Sequence, residues 1–430
     1  MSQSSAPIPV VKRELDVFER QHQQINYENC KVEKVLPING ATDPLEFKIT
    51  GSGEDYIWPK IHYLLLHVKV TQKDGTPLDP DDTTLPVNNF IHTLWNEVKV
   101  TINGTVITPK DENYAYKALF EKLLSFGDCA MNSQGEAALF IKDTAGQMEN
   151  MGTNNEGAVA RRRYIAESKT LELLCPLNID LFQQGQVLPN GCDISIKLTR
   201  NRPEFCLMMP DDNGRKIDIC LAELLIMKPR LSSATALAHA KAFQHDMAVY
   251  PIRRCETKTA VIEKGVLSKT LTNICTGQLP RRVVVAMVSN EAYNGHRSQN
   301  PFNFKHYNLN YMSLSLDGEQ KPNIPLTPNF EEGLYLESYM SLFMATGKLN
   351  LDEGLIISRA EYANGYTIFA FDMSSDLSAD ALHFDTIKSG NFKLDLRFAT
   401  ATPHSINVIV RVEFDSVIRI DRGKRVILDY

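Results

Sequence analysis

The fold is decided by a stretch that occurs twice, NFIHTLWNEVKVTING at residues 89–104 and NFKHYNLNYMSLSLDG at residues 303–318. The two copies align without a gap and share the opening Asn-Phe, a histidine and the closing turn. Each copy ends in strict alternation of apolar and polar residues, which predicts a strand with one buried face. Asn-Gly and Asp-Gly then supply the two positive-φ residues of a type I′ hairpin turn. The repeat therefore predicts two copies of one β-rich unit.

The match continues beyond the turn. Residues 191–198 correspond to residues 390–398, and residues 217–223 correspond to residues 406–413. After a Thr-Pro pair in each copy, two aromatic residues and a leucine recur at a spacing that places them on one helical face. These are Tyr116, Phe120 and Leu123 in the first copy and Tyr335, Tyr339 and Leu342 in the second. We interpret the chain as a tandem duplication.

The element pattern predicts an all-β chain with a few helices, in which two eight-stranded β-sandwich domains form a tandem double jelly roll. We expect an N-terminal arm at 1–28, a first jelly roll at 29–231, a connector helix at 232–245 and a second jelly roll at 246–430. Predicted strands cover 30–38, 45–50, 61–71, 92–102, 168–176, 192–200, 216–228, 251–262, 281–288, 306–316, 365–372, 391–398 and 405–420. Predicted helices cover 114–126, 234–243 and 333–345.

Composition excludes several classes of protein. The 430 residues are 43% hydrophobic and 23% charged, which is typical of a soluble globular protein. A net charge of -6 gives no overall reason to expect specific nucleic-acid binding. No signal peptide or long apolar span is visible, so we expect synthesis in the cytoplasm. The eight cysteines lack metal spacing, and Cys175 and Cys220 are predicted to pack as small hydrophobic residues.

The sequence contains no HExxH, GxSxG or P-loop motif, which are signatures of metalloproteases, serine hydrolases and nucleotide-binding proteins. His92 and His306 recur in both copies, and we interpret them as structural histidines because no second ligand lies near either. The acidic run with Asp79, Asp81 and Asp82 could bind calcium weakly, but it lacks the glycine and the terminal glutamate of an EF-hand. We therefore expect no enzymatic activity, no cofactor and no metal, and we assign no catalytic or binding residue.

The sequence also predicts one long surface segment and several core residues. Residues 128–165 form a long irregular excursion, which in a compact domain is usually functional. Its arginine run, 161–163, is interpreted as a solvated charged edge, with contact to an acidic surface or nucleic acid as the alternative. The helical period places Tyr335, Tyr339 and Phe343 in the core and not on a sugar-binding platform. Candidate core anchors are Phe90, Trp95, Phe304 and Tyr339.

Several short sequence segments resemble those of a known protein family. They are GEDY at 53–56, ALFIKDTAG at 138–146, AHAKA at 238–242, YPIRR at 250–254, GQLPR at 277–281, NPFNF at 300–304, SYMSLF at 338–343 and NGYTIFAFD at 364–372. From about residue 40 to Tyr430 the chain resembles the capsid proteins of Polinton/Maverick elements and the related adintoviruses, copies of which lie in invertebrate genomes.

The resemblance implies a structural major capsid protein that forms pseudo-hexagonal homotrimeric capsomers and assembles with neighbouring capsomers into an icosahedral shell. It implies localisation in the virion capsid, with assembly in the host cytoplasm or nucleus, and a minor or penton capsid protein as a further partner. The arm at 1–28 would lie at the base, against neighbours or an internal membrane. The excursion at 128–165 would lie on the outward or trimer-facing surface.

Two other classes of function stay open at this point. A minor or vertex capsid protein of the same family has a single jelly roll, and the two units of this chain argue against it. A jelly-roll receptor- or carbohydrate-binding protein would need exposed aromatic and polar residues concentrated on loops. An enzyme of the cupin or glycosidase kind would need a His/Glu metal set or two convergent carboxylates.

Overall fold

The computed structural model describes residues 13–15, 17, 23–40, 43–51, 53–110, 112–352 and 354–429. The predicted arm at 1–28 therefore lies largely outside the described residues. The strands are β1 (Tyr27–Val35), β2 (Leu45–Ile49), β3 (Trp58–Gln72), β4 (Leu85–Pro86), β5 (Trp95–Ile102), β6 (Thr105–Val106), β7 (Leu171–Cys175), β8 (Ile194–Arg200), β9 (Leu207–Met208), β10 (Arg215–Leu231), β11 (Ala248–Ile262), β12 (Ser268–Gln278), β13 (Arg282–Ser289), β14 (Leu309–Leu316), β15 (Glu319–Gln320), β16 (Ile368–Asp372), β17 (Ser389–Phe398), β18 (Ile406–Ile420) and β19 (Val426–Leu428).

The helices are short and lie between strands. They are α1 (Phe90–Thr93), α2 (Tyr114–Ser125), α3 (Asp128–Met131), α4 (Glu156–Arg162), α5 (Asp180–Gln183), α6 (Pro203–Cys206), α7 (Ser233–Ala242), α8 (Asn290–Asn294), α9 (Leu336–Ala345) and α10 (Arg359–Tyr362). The connector helix α7 begins after Ser232, whose side chain accepts a hydrogen bond from the amide of Thr235, as its serine predicted. The all-β class with a few helices is confirmed.

The two halves of the chain have the same sheet topology. In the first half, one sheet has the order β1-β10-β3-β7 and the other β2-β8-β5-β6. In the second half, the orders are β11-β18-β13-β16 and β12-β17-β14-β15, with β19 added to β18. The four-stranded sheets of the two halves therefore correspond strand by strand, while the two-stranded sheet β4-β9 of the first half has no counterpart among the described residues. Two facing antiparallel sheets in each half form a β-sandwich.

The duplicated hairpins form as their turn residues require. Asn103 and Gly104 have φ of 47° and 85°, and Asp317 and Gly318 have φ of 49° and 88°. Both pairs therefore adopt the left-handed conformation that Asn, Asp and Gly tolerate. The hairpins connect β5 to β6 and β14 to β15.

Three predictions about elements were wrong. Strand β12 was missed, because its sequence SKTLTNICTGQ has weak apolar alternation and is held by pairing with β17. The first residues of the predicted strand 92–102 belong to helix α1, since the chain turns there before β5. Cys220 is exposed and not packed, because β10 has a register shift between Ile219 and Leu221 at that residue.

Buried apolar side chains gather in three clusters. One fills the first sandwich and a second fills the second sandwich. The third joins residues of both halves, including α2, the outer side of β13 and part of α9. The anchors Phe90, Trp95 and Phe304 are fully buried, as predicted. Tyr339 is only half-buried, because α9 has one side open to solvent.

Candidate interaction surfaces

The third cluster lies against the outer face of the sheet β11-β18-β13-β16. Along β13, alternate residues point to opposite sides: Val283 and Val285 face the second sandwich, and Val284 and Ala286 face the first half of the chain. Both sides are therefore buried, which explains why β13 is an almost continuous apolar run. The outer face of this sheet has no access to solvent at its centre.

Helix α2 contributes ionic contacts to this interface. Lys117 Nζ lies 2.6 Å from Asp180 Oδ1 and also donates to the carbonyl of Cys255 on β11. Glu121 Oε2 lies 2.7 Å from Arg411 Nη2 on β18. All four charged groups of these two ion pairs are buried or partly buried. The pair of Glu121 and Arg411 joins the two halves, whereas Lys117 and Asp180 both belong to the first half.

The Arg411 guanidinium lies within a larger charge cluster on β13 and β18. It is 3.0 Å from the Glu413 carboxylate, which also pairs with Arg282 at 3.1 Å. Burial opposes the ionisation of Glu413, but the neighbouring guanidiniums hold the pKa of this carboxyl below its usual range. Glu413 and the arginines around it are therefore charged, although the first half of the chain covers them.

The excursion at 128–165 supplies a second contact between the halves. Arg161 is fully buried, with its guanidinium 2.6 Å from Asp143. Asn300 of the second half donates to the same carboxylate at 3.2 Å, and the Tyr366 hydroxyl donates to the Asp143 carbonyl at 2.9 Å. Asn155 also donates to Asp143 and caps α4. Every buried charge in this group has partners, as burial requires.

The interpretation of residues 161–163 as a solvated edge was therefore wrong for Arg161. Helix α4 turns this residue inward, while Arg163 remains exposed. The excursion was also expected to be irregular, but it contains α3 and α4. Its Lys142 reaches across to Glu361 at 2.7 Å, so one side of the excursion is packed on the second half.

The two recurring histidines have separate environments. His92 is buried, 3.0 Å from the Tyr114 hydroxyl and 3.1 Å from Cys175 Sγ. Burial lowers the pKa of His92 to about 3. His306 stacks on Phe330 with ring centroids 4.1 Å apart, and burial lowers its pKa too. Both therefore act as neutral packing residues, which agrees with the structural interpretation.

The acidic run does not gather into a cation site. Asp82 is 2.8 Å from the buried Arg215, which neutralises it. Asp79 and Asp81 are exposed. Within the part of the chain that the structure describes, no group of three or more His, Cys, Asp or Glu side chains could hold a metal ion. No described helix is long and apolar enough to cross a membrane.

The chain is similar to known proteins in sequence and in fold. No family model matches the chain. The curated relative "Uncharacterized protein F54H12.2" of Caenorhabditis elegans is 26% identical over 408 residues, covering 90% of this chain and 94% of the relative. A chain of the Sputnik virophage aligns over 100% of this chain and 94% of its own length, with a TM-score of 0.60 and 12% identity.

Two further solved structures share the whole fold. VP54 of PBCV-1 covers 96% of this chain and 99% of its own length, with a TM-score of 0.58 and 12% identity. The mavirus major capsid protein covers 100% of this chain and 96% of its own, with a TM-score of 0.52 and 11% identity. The chain is a double jelly roll.

In this double jelly roll, α2 and α9 correspond in the sequence repeat, but α2 packs on β5 and β11 whereas α9 packs on β16. The α2 side chains are buried over most of the helix. Helix α9 instead leaves a stripe exposed at every fourth residue: Leu336 is 45%, Met340 39% and Met344 57% exposed. The aromatic side of α9 packs inward, where Tyr335, Tyr339 and Phe343 join ring contacts with Phe330 and Tyr362. These rings are thus half-buried core residues and leave no open stacking platform.

The outer face of the first-half sheet β1-β10-β3-β7 is also open. Tyr63 is 43% and Val32 57% exposed, and Leu65, Leu221 and Leu225 are partly accessible. Sequence reasoning missed this surface, because an apolar residue at an outward position of a strand does not show whether another element covers it. The signal that could have found it is the apolar residue at outward positions of β3 and β10.

Proposed function

We propose that this protein is a structural major capsid protein, which forms pseudo-hexagonal homotrimers that assemble into an icosahedral shell. The observation that carries the proposal is the double jelly roll, with the same strand order in both halves and a match over the whole length of viral chains of this fold. Three chains with two similar units each present six near-equivalent contacts around one axis. Buried interface area, and not a reaction, then performs the function.

The proposal extends to the partners and the location of the protein. The capsomers lie in the virion capsid, contact neighbouring capsomers and meet a minor or penton capsid protein at the vertices. The arm at 1–28 lies at the base, against neighbours or an internal membrane. The outer side of the excursion at 128–165 faces a neighbouring copy or the exterior. Synthesis takes place in the host cytoplasm, with assembly there or in the nucleus.

We further assign the protein to the Polinton/Maverick and adintovirus group. Two observations support this assignment: the quoted phrases that resemble those capsid proteins and a nearly full-length relative in a nematode. The fold match to the mavirus major capsid protein is consistent with it.

The test is the mass of the purified full chain in solution, measured by light scattering behind a sizing column. The proposal predicts a species near three times the chain mass of 48.4 kDa, and shells or hexagonal arrays by electron microscopy at high concentration. A pentamer would assign the protein to the vertex and contradict the major-capsid role. A monomer that does not associate on concentration would contradict assembly altogether.

A further inference from the structure

The two halves of the chain differ in what covers the outer faces of equivalent sheets. The face of β11-β18-β13-β16 is covered by α2 of the first half, which packs on β11, and by the inner side of α9, which packs on β16. Its residues Val284, Ala286 and Ile409 are completely buried. The equivalent face of β1-β10-β3-β7 has no such cover among the described residues. The chain therefore has two matching helices, α2 and α9, and two matching sheet faces. Only α2 meets a sheet face of the other half, so the exposed side of α9 and the outer face of the first-half sheet have no matching contact within the chain.

The first unused surface is the outer face of the first-half sheet. Neighbouring strands bring its outward residues into rows: Tyr63 pairs with Leu225, and Leu65 pairs with both Leu174 and Glu223. Leucine and tyrosine dominate these rows. Glu223 lies between Leu221 and Leu225 along β10 and is already paired with Lys34 at 2.9 Å. The surface is thus mainly apolar and contains one ion pair that neutralises its carboxylate.

The second unused surface is the exposed stripe of α9, formed by Leu336, Met340 and Met344. It is apolar and continuous, because residues four apart lie one above the other on a helix. Helix α9 has Tyr335, Tyr339 and Leu342 where α2 has Tyr116, Phe120 and Leu123. In that alignment, Leu336 and Met340 match the α2 residues that contact the second half.

At the matched positions, a charged residue of the internal contact is replaced by an apolar residue on the helix and also on the sheet. Met340 of α9 matches Glu121 of α2. Leu221 of β10 matches Arg411 of β18, because each lies two residues before the corresponding glutamate, Glu223 or Glu413. Inside the chain, Glu121 and Arg411 form an ion pair at 2.7 Å. At the leftover surfaces both members of this pair are apolar, so an ionic contact has been replaced by a hydrophobic one.

We propose that the α9 stripe docks on the outer face of the first-half sheet of a second copy of this chain, with Met340 against Leu221. The contact repeats between copies the packing of α2 on the second half within each copy. It is heterologous, so each copy offers one stripe and one face, and the copies close into a ring. This inference rests on the proposed function and specifies the surfaces that hold the capsomer together.

The experiment converts the proposed apolar contact into the ionic one that the chain already contains. Three variants of the full chain are prepared: Met340→Glu, Leu221→Arg and the double variant. Each single change buries a charge that has no partner on the facing copy and raises the concentration for half-assembly by roughly tenfold or more. The double variant restores the pair and recovers most of the wild-type assembly. The readout is the mass by light scattering across a concentration series.

The matched control is Leu267→Glu, which adds the same charge at an exposed leucine in the turn before β12, away from both surfaces. Its assembly equals that of the wild type. Thermal melting by circular dichroism shows that every variant is folded, since all the changed positions are exposed or partly exposed.

The outcomes are distinguishable. Single variants that assemble like the wild type, a double variant that stays dissociated or a control that dissociates equally would each overturn the docking surfaces and leave the proposed function standing. A wild type that stays monomeric at all concentrations would overturn the proposed function itself.

Discussion

The two halves of the chain have the same strand order, but their matching helices lie in opposite surroundings. Helix α2 has Lys117 and Glu121 at its contact side: Lys117 donates to the carbonyl of Cys255 in the second half, and Glu121 forms an ion pair with Arg411 of the second half. Helix α9 has Leu336 and Met340 at the same positions, and both are exposed. The polar side chains of α2 are therefore buried in the interface, and the apolar side chains of α9 are exposed to solvent.

This reversal shows that the residues of a duplicated helix follow the neighbour that each copy meets. The internal contact is made during folding of one chain, where the Glu121–Arg411 ion pair is part of the contact between the halves. A contact between separate chains depends on concentration, and burial of apolar area drives its association. An exposed apolar stripe on an otherwise matched helix therefore indicates a partner outside the chain.

The largest effect is expected at the interface inside the chain. Arg161→Met leaves Asp143 buried without its guanidinium, which costs about 3–5 kcal/mol of the free energy of unfolding. Urea denaturation of the full chain measures the change. Arg163→Met in the same arginine run is the control and changes stability by less than about 0.5 kcal/mol, because Arg163 is exposed. Equal effects of the two substitutions would contradict the buried contact.

The two helices can be compared directly at a matched core position. Phe120→Ala removes a fully buried ring that stacks on Phe304 and costs about 3–5 kcal/mol. Tyr339→Ala costs about 1–2 kcal/mol, since part of its ring already meets water. Denaturation of both variants under identical conditions gives the ratio. A Tyr339→Ala variant as unstable as Phe120→Ala would mean that α9 is as deeply packed as α2.

Acid should affect the first half through two buried histidines. Burial lowers the pKa of His62 to about 4 and that of His92 to about 3. Below about pH 6.5 the unfolded chain binds protons at both residues while the folded chain does not, so stability falls as the pH is lowered. Each histidine contributes a slope of up to about 1.4 kcal/mol per pH unit, which ends near its folded pKa.

The measurement for the histidines is the unfolding free energy from pH 7 to pH 4. His62→Gln and His92→Gln each reduce the slope relative to the wild type. His245→Gln, at an exposed position, is the matched control and keeps the wild-type slope. An unchanged slope in the two buried variants would show that neither residue is neutral in the folded protein.

The smallest effect is expected at the α9 stripe when the chain is dissociated. Met340→Glu at low protein concentration changes the unfolding free energy by less than about 0.5 kcal/mol, because the side chain is exposed within its own chain. A loss well above 1 kcal/mol in dilute solution would show that Met340 packs within the chain, and it would remove the comparison with α2.

The sequence determined the repeated unit and most of its elements. Alternation and the Asn-Gly and Asp-Gly pairs specify the two hairpins locally, because strand periodicity and positive φ depend on adjacent residues. Helices α2, α7 and α9 followed from spacing and capping within a few residues. His92 could be read as structural because no second ligand lies nearby in sequence.

Only the tertiary structure decided which of these surfaces are covered. Strand β12 is held by a partner more than one hundred residues away. The buried Arg161 pairs with Asp143, which also accepts a hydrogen bond from Asn300 of the second half. The same holds for the two sheets: both have apolar residues at outward positions, but one outer face is covered and the other is open. Burial is a property of what packs opposite a residue, and the residue's own neighbours in sequence do not determine that partner.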